Sequence, residues 1–177
     1  MAKKTSIDLL LGAISFASIA HRHQLRKDNV TPYISHPCRV AMVLRHVLGI
    51  EDERIVAAAV LHDTIEDTTT DFDDIGKHFG AEIASWVAVL SKDMRLPEEQ
   101  RESNYLKSLA EAPDPVKLVK IADLYDNVLD SRVTMPTTNQ KHVEKAKVFL
   151  KVLSKSRMSS KVIQSGKRTF KITTLSH

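Results

Sequence analysis

The sequence predicts an all-α fold, a single-domain bundle of amphipathic helices around one buried central helix. The first observation is the segment 55–61, seven consecutive apolar residues that suit a helix enclosed on all sides. The second is a set of apolar stripes with three- and four-residue spacing, such as Val40, Val43, Leu44 and Val47. The third is that no segment is rich in strand patterns and no repeat occurs. With 177 residues the chain is long enough for one sizeable core.

Composition limits the functional classes. The single cysteine, Cys38, excludes an internal disulfide framework, so the chemistry does not depend on an oxidising compartment. No apolar run approaches the roughly 20 residues that span a bilayer. The first residues resemble a signal peptide, but Asp8 interrupts the apolar stretch, which continues as a helical stripe. We therefore expect a cytoplasmic protein without a membrane segment.

Charge is distributed unevenly along the chain. The net charge is +4, but the segment from Lys141 onward holds ten basic residues and one acid, and residues 1–140 carry −5. We therefore divide the chain into a domain, residues 1–157, and a basic C-terminal tail, residues 158–177. The tail is either a solvated face or a contact within a homo-oligomer. It contains no motif that would support nucleic-acid binding.

The first two helices flank a polar loop. The apolar stripe predicts helix one over residues 7–23, and residues 24–37 form the loop. Pro32 and Pro37 disfavour helical geometry at the residues before them. Pro37 can open the second helix, with His36 near its N-cap, and Gly49 ends it.

The later helices begin and end at polar caps, glycines or prolines. In chain order they are a central helix from Glu51 or Asp52, a short helix capped by Thr70 and Asp73 that ends near Gly80, a helix with Ile83, Trp86, Val87 and Leu90 inward, a helix over 98–111, a helix over 116–132 after the break at Pro113 and Pro115, and a long helix over 139–156. Residues 161–172 fit either a hairpin around Ser165 and Gly166 or a poor helix.

The central apolar segment runs directly into the charged sequence HDTIED, residues 62–67. In one continuous helix, His62 shares a face with Glu66, and Asp63 shares a face with Asp67. Ionised groups beside a low-dielectric core are costly unless they are paired or bound to a metal. An HD pair alone is typical of a helix end that reaches solvent. An imidazole and three carboxylates behind seven apolar residues favour a functional site.

Two other polar residues interrupt apolar patterns: His36 at a helix start and Asp123 inside an amphipathic helix. Together with His62 and Asp63 they form a mixed nitrogen and oxygen set that suits Mn²⁺ or Fe²⁺, and Zn²⁺ also fits. A cation between the two aspartates removes their mutual repulsion. A bound divalent ion lowers the pKa of its water. The two remaining carboxylates of HDTIED, Glu66 and Asp67, can then orient that water or move its proton.

Three segments, ISHP at 34–37, HDTIED at 62–67 and VKIADLYDN at 119–127, closely resemble the HD-domain alarmone hydrolases, the hydrolase half of the RelA/SpoT homologues. The likeness is strongest to the stand-alone small alarmone hydrolases, the MESH1-like members. It extends from helix one to Arg132, about three quarters of the chain. HD alone is weak evidence, whereas HDxxED preceded by PYIxHP and followed by the LAD-like segment is specific.

The resemblance implies that residues 1–157 form an HD-type metal-dependent phosphohydrolase domain. The implied roles are metal ligation, usually of Mn²⁺, by His36, His62, Asp63 and Asp123; activation of the attacking water by Glu66 and Asp67; nucleotide contact by Arg26 and Lys27; and ligand-facing positions for Tyr33 and Asn127. The implied reaction is hydrolysis of the 3′-diphosphate of (p)ppGpp, which yields GDP or GTP and pyrophosphate. Tyr33 is equally consistent with packing.

Two alternative functions are open. An HD phosphohydrolase can act on another nucleotide such as NADPH, to which MESH1-like members have been linked, and would then release phosphate. A non-catalytic nucleotide sensor would bind its ligand without turnover.

The sequence departs from the family pattern at two places. Residues 27–32 contain no glycine where family members often have one, and Asn29 and Val30 occupy that region. Asp126 stands where His or Tyr is usual. We expect this extra acid either to repel a phosphate or to face solvent.

Overall fold

The computed structural model describes residues 6–134, 136–156, 159, 162 and 163. This part of the chain is helical, with no strand beyond an isolated bridge between Leu25 and Pro32. Its α-helices are α1 (Ser6–Ala20), α2 (Ser35–Met42), α3 (Glu53–Leu61), α4 (Thr64–Asp67), α5 (Phe72–Phe79), α6 (Ala81–Leu90), α7 (Glu98–Glu111), α8 (Asp114–Thr134) and α9 (Asn139–Leu153). A π-helical segment, Val43–Val47, extends α2, and a 3₁₀ turn, Pro136–Thr138, precedes α9. The predicted all-α fold is confirmed.

Helix α3 is the centre of the bundle, as its all-round apolar sequence predicts. Residues 55–61 are all buried, and α3 packs against α1, α2, α6 and α8. Burying one Val or Leu side chain stabilises a fold by roughly 1.5–3 kcal/mol, so this segment is a major source of stability. The predicted start is close, because Asp52 is the N-cap and accepts a hydrogen bond from the Arg54 N–H at 2.9 Å.

Helix α3 ends at Leu61, and a turn at His62 and Asp63 separates it from α4. His62 and Asp63 therefore lie at a helix end, as predicted, although the helix does not continue unbroken from His62 to Glu66. The hydroxyl of Thr64 donates to the carbonyl of Leu61 at 2.7 Å, which satisfies one acceptor at the helix end. The Asp67 N–H still donates to the Asp63 carbonyl at 2.9 Å, so these two keep their four-residue relation.

The boundaries on either side of the first loop differ from the prediction. Helix α1 ends at Ala20, because residues 21–23 form a turn. Helix α2 begins at Ser35 rather than at Pro37, which places His36 in its first turn. Pro37 fits there because the first-turn N–H groups of a helix have no helical acceptor.

Helix α5 is capped one residue later than predicted. A reciprocal capping box joins Asp71 and Asp74, not Thr70 and Asp73. Helix α6 has the predicted inward face, whose buried residues include Ile83, Trp86, Val87 and Leu90.

Helices α7, α8 and α9 follow the predicted order. Helix α7 has the predicted bounds. Helix α8 begins at Asp114, so Pro115 lies in its first turn and does not break it. Helix α9 begins at Asn139 as predicted and ends at Leu153, three residues before Ser156. Because α8 packs against α2, α3, α6 and α9, its middle lies inside the bundle.

Part of the predicted tail packs against the domain, since Ser159, Val162 and Ile163 are buried. The predicted hairpin or poor helix around Ser165 and Gly166 lies outside the described residues, and the boundary after residue 157 stays a prediction. Among the described helices, none combines the length and apolar character needed to cross a membrane.

Candidate active site

A cleft of about 390 Å³ opens where α3 ends, between the first loop and helices α2, α4, α8 and α9. Most of the residues predicted for the site line this cleft. They are Arg26, Lys27, Tyr33, His36, Asp63, Glu66, Asp67, Asp123 and Asn127. The remaining predicted residue, His62, lies against the same floor, with its Nε2 atom 3.8 Å from Oδ1 of Asp123.

Four side chains from segments far apart in the sequence converge on the cleft floor. Nε2 of His36 lies 3.2 Å from Oδ1 of Asp123 and 3.6 Å from Oδ2 of Asp63. Nε2 of His62 lies 3.1 Å from Oδ2 of Asp63. Ligand atoms of His36, His62 and Asp123 lie within 4.8 Å of one another, close enough to hold one metal ion.

Each imidazole is oriented through its other nitrogen. Nδ1 of His62 donates to the carbonyl of Ala59 at 2.7 Å, and Nδ1 of His36 donates to Oδ2 of Asp126 at 2.7 Å. In the neutral ring these bonds place the lone pair on Nε2, which is the arrangement of a metal-ligating histidine. Nε2 of His62 is buried without a hydrogen bond to any described residue. Such an atom costs about 1–3 kcal/mol, and a bound cation removes this cost, so the donor set fits a divalent ion.

Opposite charges in this cluster stabilise each other's ionised forms against the effect of burial. Burial opposes the charge on His36, but Asp123 and Asp126 outweigh burial and raise its pKa to about 9. Burial also opposes ionisation of Asp123, yet Lys120 and His36 hold the pKa of this carboxyl well below its usual range. The two histidines lower the pKa of Asp63 in the same way, against its burial. Both aspartates are therefore ionised at neutral pH, as ligands must be.

Glu66 and Asp67 lie beside the cluster in a different electrostatic state. Burial raises the pKa of both carboxyl groups, and the charge of Asp63 raises it further. Oε2 of Glu66 accepts a hydrogen bond from the Lys92 N–H at 2.8 Å, which fixes its position. A carboxyl group whose pKa is shifted towards neutrality is suited to proton transfer.

Tyr33 is more than a packing residue. Its hydroxyl donates to Oδ2 of Asp63 at 2.7 Å, and the guanidinium carbon of Arg26 lies 5.6 Å from its ring centroid. Arg26 also bonds Oδ2 of Asp130 at 2.7 Å. The amide of Asn127 donates to Oδ1 of Asp123. Tyr33 and Asn127 therefore both hold carboxylates of the cluster.

Asp126 does not face solvent, so that expectation for this departure is wrong, and it is not among the residues that line the cleft. The residue is 3% exposed. Its carboxylate accepts from His36 and, at 2.8 Å, from Nε of Arg39. Arg39 also contacts Asp130 at 2.8 Å, and Asp130 holds Arg26. A chain of ion pairs thus connects a candidate metal ligand with the residue predicted to contact the nucleotide.

The loop without glycine achieves its turn through Asn29, whose φ is +58°. Asn tolerates this left-handed conformation better than most residues. The Asn29 N–H donates to the Arg26 carbonyl at 2.9 Å, and Asp28 accepts from the N–H groups of Val30 and Thr31. This departure therefore leaves a defined turn beside the cleft.

Several lining residues were not predicted from the sequence. They are Lys92, Tyr105, Lys120, His142 and Lys145. The sequence could have indicated Lys120 as a site residue, because it stands between buried apolar residues three positions before Asp123. Lys92 and Lys145 lie in segments that read as solvated charge, and only tertiary packing brings them to the cleft.

Comparisons with known proteins agree with this geometry. The sequence matches the family described as HD domain over residues 13–158. It is 41% identical over 134 residues to the Mus musculus guanosine-3′,5′-bis(diphosphate) 3′-pyrophosphohydrolase MESH1, covering 75% of each chain. It is 42% identical over 119 residues to the Aquifex aeolicus guanosine-3′,5′-bis(diphosphate) 3′-pyrophosphohydrolase, covering 66% of this chain and 17% of that protein.

A solved structure has the same architecture. It is that of a metazoan orthologue of SpoT that hydrolyses ppGpp, with a TM-score of 0.79 and 28% sequence identity. The match covers 96% of this chain and 98% of the other. The chain therefore belongs to the HD-domain family and is related within it to the MESH1 proteins.

Proposed function

We propose that this chain hydrolyses the 3′-diphosphate of (p)ppGpp, releasing pyrophosphate and leaving GDP or GTP. The supporting observation is that two imidazoles and two carboxylates converge in a cleft beside Glu66 and Asp67. Relatives named for this activity share 41% and 42% identity with the chain, which gives independent support.

The metal ligands in this proposal are His36, His62, Asp63 and Asp123. Mn²⁺ is the proposed ion, and Fe²⁺ and Zn²⁺ are alternatives, because a mixed set of imidazole and carboxylate donors accepts all three. When bound, the ion supplies Lewis-acid activation of water and neutralises charge on the phosphate oxygens.

The acids beside the ligands carry the proton transfers. Water adds to the phosphorus atom bonded to the 3′ oxygen, and the bond between that phosphorus and the 3′ oxygen breaks. One of Glu66 and Asp67 accepts the proton of the water, and a proton returns to the 3′ oxygen from the acidic pair. Both carboxyl groups have raised pKa values, which favours this exchange near neutral pH.

The first loop and helix α8 supply the proposed substrate contacts. Arg26 and Lys27 offer positive charge to the phosphates, and Arg26 can also stack on a base. Tyr33 and Asn127 face the ligand while they hold Asp63 and Asp123 in place. The cytoplasm as compartment and assembly into a homo-oligomer stay predictions of the sequence.

A substrate panel with product identification tests this function. The purified chain is incubated with Mn²⁺ and ppGpp, pppGpp or NADPH, and the panel is repeated with Fe²⁺ and Zn²⁺. We expect pyrophosphate from the two alarmones. Release of phosphate from NADPH alone would support the alternative phosphohydrolase. Binding of ppGpp without any product, under conditions in which the metal is bound, would indicate a sensor.

A further inference from the structure

Three lysines along one wall of the cleft alternate with two aromatic rings. The Nζ atoms of Lys92 and Lys120 lie 5.4 and 5.3 Å from the ring centroid of Tyr105. Those of Lys120 and Lys145 lie 5.3 and 5.9 Å from the ring centroid of Phe149. Cation–π contacts on both rings hold the ammonium groups in a fixed order. Lys92, Lys120 and Lys145 are called the lysine row below.

The two acids bonded to the lysine row are each shared between several cationic groups. Glu102 bonds Lys92 at 2.6 Å and lies 3.9 Å from Lys145. Asp123 accepts from Lys120 at 2.7 Å, but this carboxylate is shared with the histidines of the metal-ligand set. Burial lowers the pKa of Lys145, and the charges of Lys92 and Lys120 lower it further. An anion bound along the row would relieve this repulsion.

The middle lysine of the row, Lys120, lies beside the reacting centre, since it bonds Asp123 at 2.7 Å. Asp123, the partner of Lys120, lies 3.2 Å from Nε2 of His36. The backbone N–H of Lys92 holds Glu66. The side chain of Lys145 lines the cleft and is 53% exposed, so it lies nearest to solvent. A ligand bound to the row therefore lies beside the candidate metal ligands.

We propose that the lysine row is a subsite for the diphosphate group that hydrolysis releases, an inference that rests on the proposed function. Ammonium groups bind phosphate oxygens as point charges and accept no hydrogen bond themselves. A diphosphate spreads its charge over two phosphoryl groups, so it matches a row of cations better than a single one. Arg26 and Lys27, which come from a different segment, remain for the nucleoside and its 5′-phosphates.

Calorimetric binding of inorganic pyrophosphate and of GDP tests this subsite. Both are titrated into the full chain with Mn²⁺ in excess. Lys145→Gln is the main variant, since this side chain is half exposed and its loss leaves the core intact. We expect about tenfold weaker pyrophosphate binding, the effect of losing one charged contact, with GDP affinity unchanged. Lys145→Arg keeps the charge and is expected to restore binding.

Lys147→Gln is the matched control. Lys147 lies on the same helix but pairs with Glu144 on the surface at 2.8 Å, so both affinities are expected to stay at the level of the unmodified chain. Lys92→Gln serves as the second variant and is expected to act like Lys145→Gln. Unchanged pyrophosphate affinity in both lysine variants would overturn the subsite.

Weaker GDP binding without a change for pyrophosphate would also overturn it, because the row would then hold the 5′-diphosphate. The substrate panel is judged separately. If the chain does not hydrolyse ppGpp but its pyrophosphate binding depends on these lysines, the proposed reaction is wrong and the diphosphate subsite is still supported.

Discussion

Nδ1 of His36 lies 2.7 Å from Oδ2 of Asp126, and both side chains are buried. A carboxylate bonded to a ligating histidine fixes its tautomer and ring orientation and makes the other nitrogen a stronger donor to metal. Arg39 holds Asp126 with two hydrogen bonds, at 2.8 and 3.0 Å, so the carboxylate keeps its orientation. The strength of His36 as a proposed ligand therefore depends on Asp126.

Replacing Asp126 by Asn is expected to weaken divalent-ion binding by about 10- to 100-fold, the usual effect of losing such a partner. The size of the side chain is kept, but its charge is lost and the amide can present a donor to His36. Calorimetric titration with Mn²⁺ measures the change. Asp73→Asn, an exposed substitution on α5, is the control. Equal affinities of the two variants, with equal helical content, would contradict this role.

Ion binding is expected to depend on pH up to about pH 9. Without an ion, the raised pKa of His36, about 9, means that its ring carries a proton at neutral pH. A divalent ion must displace that proton, so affinity rises with pH and levels off above the pKa. Calorimetry in buffers with different ionisation enthalpies measures the released protons. In Asp126→Asn the plateau is expected at lower pH, because a partner that raises this pKa has lost its charge. Affinity that does not change with pH would argue against ligation by His36.

Glu66→Gln is expected to lower kcat for ppGpp by at least about 100-fold, the lower end of what general acid–base catalysis contributes. The amide keeps its shape and can still face the Lys92 N–H, but it cannot carry the proton. Ion binding is expected to persist, and the thermal shift on adding Mn²⁺ tests this within the same variant. Asp67→Asn tests the second acid. Full turnover in both variants would remove the pair from the mechanism.

Asp130→Asn is expected to raise KM for ppGpp by about fivefold, in line with the loss of one ion pair of about 1 kcal/mol, and to leave ion affinity nearly unchanged. Asp130 bonds Arg26 directly. It is connected to His36 only through Arg39 and Asp126, so its neutralisation affects Arg26 more than His36. Steady-state kinetics and ion titration separate the two effects. Asp93→Asn, which breaks an exposed pair with Arg95, is the control. An unchanged KM would show that Asp130 does not position Arg26.

Asn29→Gly is expected to preserve activity, whereas Asn29→Val is expected to destabilise the fold by about 1–2 kcal/mol, because a β-branched residue is strained at positive φ. Chemical denaturation measures the difference, and KM for ppGpp reports whether Arg26 and Lys27 move with the turn. Val30→Ala, at an exposed neighbouring residue, controls for substitution in this loop. Equal stability of the Gly and Val variants would show that the turn is not constrained.

The sequence predicted the helical bundle and the converging polar residues well, because both depend on local patterns. An apolar run predicts burial of α3, and polar residues in apolar stripes mark His36 and Asp123 as exceptions. The role of Asp126 could not be predicted, since it depends on Arg39, 87 residues away in the chain. The turn after Leu61 was missed because HDTIED has no proline or glycine to mark it.

The two imidazoles are held by different kinds of partner. The main-chain carbonyl of Ala59 orients His62. Every amino acid has this carbonyl group, so a substitution at position 59 does not remove it. A side chain orients His36, and one nucleotide change can replace it. Among homologues, changes in metal preference are therefore expected to arise more readily from substitutions at position 126, which alter the orientation of His36, than from substitutions near His62.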